Sequence, residues 1–302
     1  VVGKAEVGTI EIGGRRVGGD EPCVVVAEIG INHNGDLGLA QELVAAAAAA
    51  GCDAVKFQKR TVDVVYSAEE LDRPRESPFG ATNGDLKRGL EFGAVEFDVL
   101  AEQCRALGML WFVSCWDEGS VDFMERYDPP CYKIASASLT DDDLLRHHRT
   151  YGRPIILSTG MSSLDEIDHA VEVLGRDDLV LAHATSTYPS QTEELNLRAI
   201  TTLRDRYGVP VGYSGHEVGL AASVAARVLG ACVIERHITL DRAMWGSDQA
   251  ASVEPSGFAR LVKDVRAVES ALGDGVKVVY ESEVPIREKL RRVDTRRDAG
   301  AG

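Results

Sequence analysis

Residues 24–58 read "VVVAEIGINHNGDLGLAQELVAAAAAAGCDAVKFQ". The first seven, "VVVAEIG", are an apolar run broken only by Glu28, the pattern of a buried strand. From Leu37 a helical pattern runs to Gly51, which closes it. "DAVKFQ" (53–58) is a second strand. Working outward, the alternation continues. A long polar stretch is followed by a helical pattern from about Asp85 to Leu107. Further strands are "MLWFVSCW" (109–116), "CYKIAS" (131–136), "PIILST" (154–159), "LVLAHA" (179–184), "PVGYS" (210–214) and "CVIERHI" (232–238). Helical patterns such as "DEIDHAVEVLG" and "AASVAARVLG" separate them.

Strands that alternate with helices build a parallel sheet, and eight such units are the count of an α/β protein of the (β/α)8 TIM-barrel type. The rival, an open doubly wound sheet, usually has fewer strands. No Gly-rich dinucleotide fingerprint opens the first helix. "TIEIGGRRVGGD" reads as a hairpin turning at Gly13 and Gly14. The expected organisation is an N-terminal hairpin over 1–23 that closes the barrel, a barrel over 24–285 and a charged tail over 286–302, loose at its end.

The chain has 302 residues, 44% hydrophobic and 27% charged, ordinary for a globular protein with a core that needs no staple. Its net charge of -15 argues against nucleic acid and anionic membranes as partners. Six cysteines form no Cys-x-x-Cys pair, and several sit in apolar runs. A reducing cytoplasm with free thiols is expected. The N-terminal segment shows no signal-peptide pattern, and "VAAAAAAG" is too short to span a membrane.

Barrel chemistry lies at the C-terminal ends of the strands. Here those ends are polar: Glu28; Lys56 and Gln58; Ser114 and Cys115; Lys133 and Ser136; Ser158 and Thr159; His183, Thr185, Ser186 and Tyr188; Ser214 and His216; Glu235 and His237. Lys56 and Gln58 share one strand face, as do Glu235 and His237, while Arg236 points the other way to pair with a carboxylate outside the barrel. Two inward lysines imply an anion, with the hydroxyls of Ser136, Ser158 and Ser214 as further donors. His216 and His237, from adjacent strands, could hold a divalent metal or serve as structural hydrogen-bonding groups. His183 reads as structural, and His147, His148 and His169 as surface residues. His33 reads as a loop cap or a site residue. The ring alone also fits a metal-dependent aldolase or isomerase acting on a phosphosugar, or a catalytically idle sugar-binding barrel.

The blocks "AEIGINHNGDLGLAQELVAAAAAAGCDAVKFQKRT", "YKIAS", "PIILSTGMSS", "HATSTYPS", "GYSGHEVGLAASVAA" and "ERHITLDRAMWGSDQAASVEP" resemble, in order, the N-acetylneuraminate (sialic acid) synthase family. The resemblance covers about 24 to 285. It implies a TIM barrel that condenses phosphoenolpyruvate with an aldose to give a 3-deoxy-2-keto sugar acid plus phosphate. It also implies a divalent cofactor, most often Mn2+, with Mg2+ or Co2+ as alternatives, and a homodimer. Carried over by position, Lys56, Lys133, Ser136, Ser158, Ser186 and Ser214 bind phosphoenolpyruvate, with Ser114 beside them. His216 and His237 hold the metal. Glu28, Gln58, Tyr188 and Asp248 face the sugar or the attacking water, Glu28 as base or positioner. Glu235 orients a ligand or the metal's water.

Three departures stand out. Where many members read Ser-Thr after the third strand, this sequence has Ser114-Cys115, so one phosphate hydroxyl is expected to be missing. Where they carry a sugar-contacting acid after the fourth strand, it has Ser138. Many also carry a C-terminal antifreeze-like domain, and this sequence ends before one. The expectation is that N-acetylmannosamine is a poor acceptor compared with some other aldose.

Overall fold

The computed structural model describes residues 8–293, which fall into two compact units, one up to Glu269 and one from Ser270. The first is a closed parallel barrel. Its strands are β1 (Val24–Gly30), β2 (Ala54–Lys59), β3 (Leu110–Cys115), β4 (Tyr132–Ile134), β5 (Ile155–Ser158), β6 (Leu179–Ala184), β7 (Val211–Gly215) and β8 (Val233–His237). They pair in chain order, and β8 closes on β1. The eight following helices are α1 (Leu37–Ala49), α2 (Ala94–Ala106), α3 (Glu118–Met124), α4 (Asp142–Thr150), α5 (Leu164–Leu174), α6 (Ala199–Tyr207), α7 (Ala221–Val228) and α8 (Pro255–Leu272). The fold is the TIM barrel that the alternation predicts. The second unit carries a short helix at Val284–Leu290, with residues 294–302 of the expected tail outside the described residues.

Helix starts are marked by short polar side chains that accept from otherwise unpaired backbone N–H groups. Asp36 caps α1 through the N–H of Leu39, and Ser163 with Glu166 forms a reciprocal capping box on α5. Strand alternation sorts side chains into two cores. Val55, Val113, Tyr132, Leu157, Leu181, Tyr213 and Ile234 face outward and pack under the helices, where residues such as Leu43 of α1 meet them. Val24, Val26, Ala54, Phe112, Ile156, Val180 and Val233 point inward at the N-terminal end of the barrel.

An antiparallel hairpin, Ile10–Ile12 with Arg15–Val17, adds Ile12 and Val17 to that inner cluster. Its turn residues Gly13 and Gly14 have φ of 56° and 77°, the left-handed pair a tight hairpin turn demands. Gly13 has a second reason to be glycine: a Cβ there would come within 2.6 Å of Leu110. Burying each apolar hairpin side chain contributes roughly 1.5–3 kcal/mol.

The expected helix over Asp85–Leu107 is two helices, Asn83–Gly89 and α2, separated by Leu90–Gly93. Apolar residues keep a helical spacing across the gap, which hides it in sequence. The chain breaks because Phe92 turns in to stack on His33 and Glu91 turns back to Arg60. The polar stretch before it folds into two short helices and a small hairpin, Pro74–Ser77 with Gly80–Thr82.

His148 is a second correction. It lies on the inward side of α4, fully buried, with Nδ1 on the Leu144 carbonyl at 2.9 Å and its ring against Tyr132. Burial lowers its pKa to about 4. His147 and His169 are solvent-facing partners of Asp122 and Asp142. All six cysteines are free and buried. Among the described residues, no helix is long and apolar enough to cross a membrane.

Candidate active site

The inward positions change character two residues along seven of the eight strands; β6 stays apolar through Val180 and Ala182. Val26 is followed by Glu28, Ala54 by Lys56 and Gln58, Phe112 by Ser114, Ile156 by Ser158, and Val233 by Glu235 and His237. Cys131 on the inner face is followed by Lys133, and Gly212 on β7 by Ser214. Barrel closure then gathers these groups at one mouth. His237 is level with Glu28 and Glu28 with Lys56; Gln58 is level with Ser114 and Ser114 with Lys133; Ser214 is level with Glu235.

Glu235 is the hub of this ring. Its Oε1 accepts from Lys56 Nζ at 2.7 Å and from Ser214 Oγ at 3.2 Å, and lies 3.8 Å from Lys133 Nζ. Lys133 Nζ donates to Ser158 Oγ at 2.6 Å. Lys56 also lies 3.4 Å from Glu28 Oε2, and Gln58 donates to Glu28 Oε1 at 2.8 Å. Glu235 lies two residues before His237 on the same strand face, and the hydrogen bonds it accepts come from Lys56 and Ser214. A carboxylate buried between two ammonium groups satisfies charges that would otherwise cost several kcal/mol to leave unpaired.

The pairing sets protonation. Burial alone would raise Glu235, but the Lys133 and Lys56 charges hold it down at about 2. Burial pushes Glu28 up to about 7 against the pull of Lys56, and the Glu235 charge adds to the rise. Burial would lower Lys56, yet Glu235 and Glu28 outweigh it and raise it. Lys133 falls to about 8, through burial and the nearby Lys56 charge, against the pull of Glu235. The mouth therefore holds an ammonium pair, a fixed carboxylate and a second carboxyl group poised near neutrality, the range a general base needs.

The two imidazoles sit on the next sector. Their ring centroids are 5.5 Å apart, and Tyr188 packs on both, at 4.1 Å from His216 and 5.8 Å from His237. His216 Nδ1 is bonded to the Thr185 carbonyl at 2.7 Å, which assigns the proton to Nδ1 and leaves Nε2 as a free lone pair. Burial and the neighbouring His237 lower His216 to about 4, and burial lowers His237 as well. Neutral rings are the form that binds metal. His237 Nδ1 is buried without a hydrogen-bond partner among the described residues, 3.8 Å from Asp248 Oδ2. This donor set fits a divalent cation as two imidazole ligands. Among the described residues no group of three or more His, Cys, Asp and Glu is arranged to hold one. The remaining positions would fall to substrate and water.

The hydroxyls converge around Gly160. Its N–H donates to Ser136 Oγ at 3.0 Å. A Cβ on Gly160 would collide with Ser186 Oγ and come within 2.8 Å of Ser136 Oγ, so only glycine lets these loops meet. Ser114 Oγ is buried and has no partner among the described residues.

Cys115 is not part of this ring. It lies on the outer face of β3, with Sγ 3.6 Å from the Ser120 carbonyl, so a hydroxyl there would not reach the mouth and none is missing. His183 also faces outward, its Nε2 on the Leu195 carbonyl at 2.7 Å. His33 is buried as a loop element, its Nδ1 accepting from the Gly35 N–H at 3.1 Å. Sequence reasoning missed Arg60, whose guanidinium donates to Gln58 Oε1 and pairs with Glu91 at 2.8 Å. That bond turns the Gln58 amide so that its NH2 faces Glu28. An arginine two residues beyond Gln58, just past the end of β2, was the available signal.

Residues 43–277 match the model of the NeuB family. Human N-acetylneuraminate-9-phosphate synthase is 39% identical over 282 residues, 92% of this chain and 79% of the relative. The N,N'-diacetyllegionaminic acid synthase of Legionella pneumophila is 37% identical over 305 residues, 95% of this chain and 86% of the relative. Among solved structures, the N-acetylneuraminic acid synthetase of Leptospira borgpetersenii in complex with citrate superposes with a TM-score of 0.83 at 31% identity. That match covers 95% of this chain and 99% of that one.

Proposed function

The chain belongs to the NeuB family, and from that premise we propose that it condenses phosphoenolpyruvate with an aldose. The product is a 3-deoxy-2-keto sugar acid of the sialic type, with release of phosphate. One observation carries the reading. Two buried lysines, the hydroxyls of Ser158 and Ser214 and two neutral imidazoles share a single barrel mouth. An aldolase or isomerase acting on a phosphosugar would use the same mouth but would require no phosphoenolpyruvate, and the assay below separates the two.

Lys56, Lys133, Ser158 and Ser214 cradle the phosphate and carboxylate of phosphoenolpyruvate, with Ser136 and Ser186 at the edge near Gly160. His216 and His237 would hold a divalent cation, Mn2+ in our reading, which would supply Lewis acidity towards the aldehyde oxygen of the open-chain sugar. C3 of phosphoenolpyruvate bonds to the aldehyde carbon, the carbonyl π pair moves onto the aldehyde oxygen, which takes up a proton to become a hydroxyl, and C2 becomes electron-poor. Glu28, held by Gln58, takes a proton from the water that attacks C2. The tetrahedral centre then collapses: the C2–O bond to phosphorus breaks, the new hydroxyl loses its proton, and a ketone forms. Lys56 and Lys133 stabilise the departing phosphate, charge that develops only along the reaction. Tyr188 and Asp248 face the sugar, and Ser138 leaves that side without the acid many members carry.

The test is phosphate release from phosphoenolpyruvate with Mn2+ and a panel of aldoses, using substrate labelled with heavy oxygen at the bridge. The expected outcome is aldose-dependent release with the label in phosphate. Label retained in the keto acid, under conditions without ketone exchange, or no release with any aldose, overturns the reading.

A further inference from the structure

Behind the two imidazoles, on the outer face of the β7–β8 corner, lies a buried ion pair that takes no part in the mouth. Arg236 and Glu217 are 1% and 2% exposed. Arg236 Nη1 donates to Glu217 Oε1, to the Gly219 carbonyl and to Ser223 Oγ, each at 2.9 Å. Its Nη2 donates to the main-chain carbonyl of Glu217. Glu217 Oε2 accepts from the Tyr213 hydroxyl at 2.8 Å. Gly215 makes room for the cluster, since a Cβ there would come within 2.5 Å of Glu217 Oε2 and 3.1 Å of Arg236 Cδ.

Chain position gives the pair its meaning. Glu217 directly follows His216, and Arg236 directly precedes His237. The strands still pair at Gly215 and Arg236, one residue before each histidine. Beyond that point regular pairing between β7 and β8 ends, and the bonds from Arg236 to Glu217 and Gly219 take over the tie. On its other side His216 is fixed by the Ser190 N–H on its carbonyl, at 3.1 Å, and by the Thr185 carbonyl on its ring. A buried ion pair stabilises a fold little better than an apolar pair of the same volume, so stability alone does not account for it. Its fixed fork of bonds to main-chain carbonyls instead specifies geometry.

We infer that Arg236 and Glu217 are positioning residues that fix the spacing and facing of His216 and His237, and thereby set the affinity of the mouth for a divalent cation. This rests on reading the two histidines as ligands. Strand alternation turns the clamp away from substrate, so its action passes through the histidine main chain alone.

The test uses the charge-neutral double variant Glu217→Gln/Arg236→Met and the single variant Arg236→Lys. Mn2+ affinity is measured by electron paramagnetic resonance, and phosphoenolpyruvate affinity without metal by calorimetry. Loss of support around ligands typically costs about 10–100-fold in metal affinity, and that weakening is expected in both variants with phosphoenolpyruvate binding within about threefold of the parent. Unchanged Mn2+ affinity, or equal weakening of both ligands as a general loosening would give, overturns the inference. If the double variant does not fold, Arg236→Lys decides by the same criteria. A parent protein that binds no Mn2+ overturns the ligand reading itself, whereas Mn2+ binding that His216→Ala abolishes and the clamp variants spare overturns only the clamp.

Discussion

The two ends of the barrel are built from the same strands and the same inward faces, yet they hold opposite chemistry. At the N-terminal end Val26, Ala54, Phe112, Ile156 and Val233 meet Ile12 and Val17 of the hairpin in an apolar plug. Two residues further on, Glu28, Lys56, Ser114, Ser158 and Glu235 form a buried polar ring. The plug gains from burial without conditions. The ring is stable only because each charge has a partner: Glu235 with Lys56, Lys133 with Ser158, Glu28 with Gln58. The difference teaches that one end carries stability and the other spends some of it on function.

That division can be broken most sharply at the histidines. His216→Ala and His237→Ala should each abolish Mn2+ binding and cut turnover of phosphoenolpyruvate by about 10³-fold, given several kcal/mol of Lewis-acid stabilisation. Circular dichroism should show the fold intact. Full Mn2+ occupancy by elemental analysis in both variants would remove the ligand assignment.

At the opposite end, Ile12→Ala should cost roughly 2–4 kcal/mol of stability, the usual range for a large-to-small core substitution. Its kcat/KM should match the parent at a temperature where both are folded. A large fall in kcat/KM with unchanged denaturation would mean the plug is not merely structural.

Lys56→Ala tests the ring's anion affinity. A charge-assisted contact is worth roughly 1.5–3 kcal/mol, so phosphoenolpyruvate should bind about 10–100-fold more weakly. Acceptor-sugar affinity should move far less. Equal losses for both ligands in calorimetry would place the anion pocket elsewhere.

The effect that vanishes near neutral pH comes from a group in neither end. His148, in the helical layer, is held neutral with a pKa of about 4. The unfolded chain, with an ordinary histidine, binds more protons between about pH 6.5 and 4, so stability rises with pH through that window and is lost as pH falls through it. The contribution is at most about 1.4 kcal/mol per pH unit. Urea denaturation of His148→Gln against the parent should show a shallower acid loss; identical slopes would exclude the histidine as the cause.

Sequence by itself determined the architecture and the cast of the mouth. Alternating strand and helix patterns gave eight units, and the two-residue strand period sent Lys56, Gln58, Glu235 and His237 inward and Arg236 outward, where Glu217 meets it. Such periods are local, so they survive in a linear reading. Only the tertiary structure decided which groups meet. Lys56 of β2 reaches past β1 to Glu235 of β8, residues 179 apart in the chain, because closure of the barrel fixes their levels. The same holds for the break at Leu90–Gly93, made by Phe92 finding His33, and for His148 finding Tyr132. Cys115 shows the limit from the other side: it ends a strand whose last inward position is Ser114, and the outward turn of one residue removes it from the site. Partner choice between distant inward side chains depends on strand stagger around a closed sheet, a property of the whole ring that no local pattern encodes.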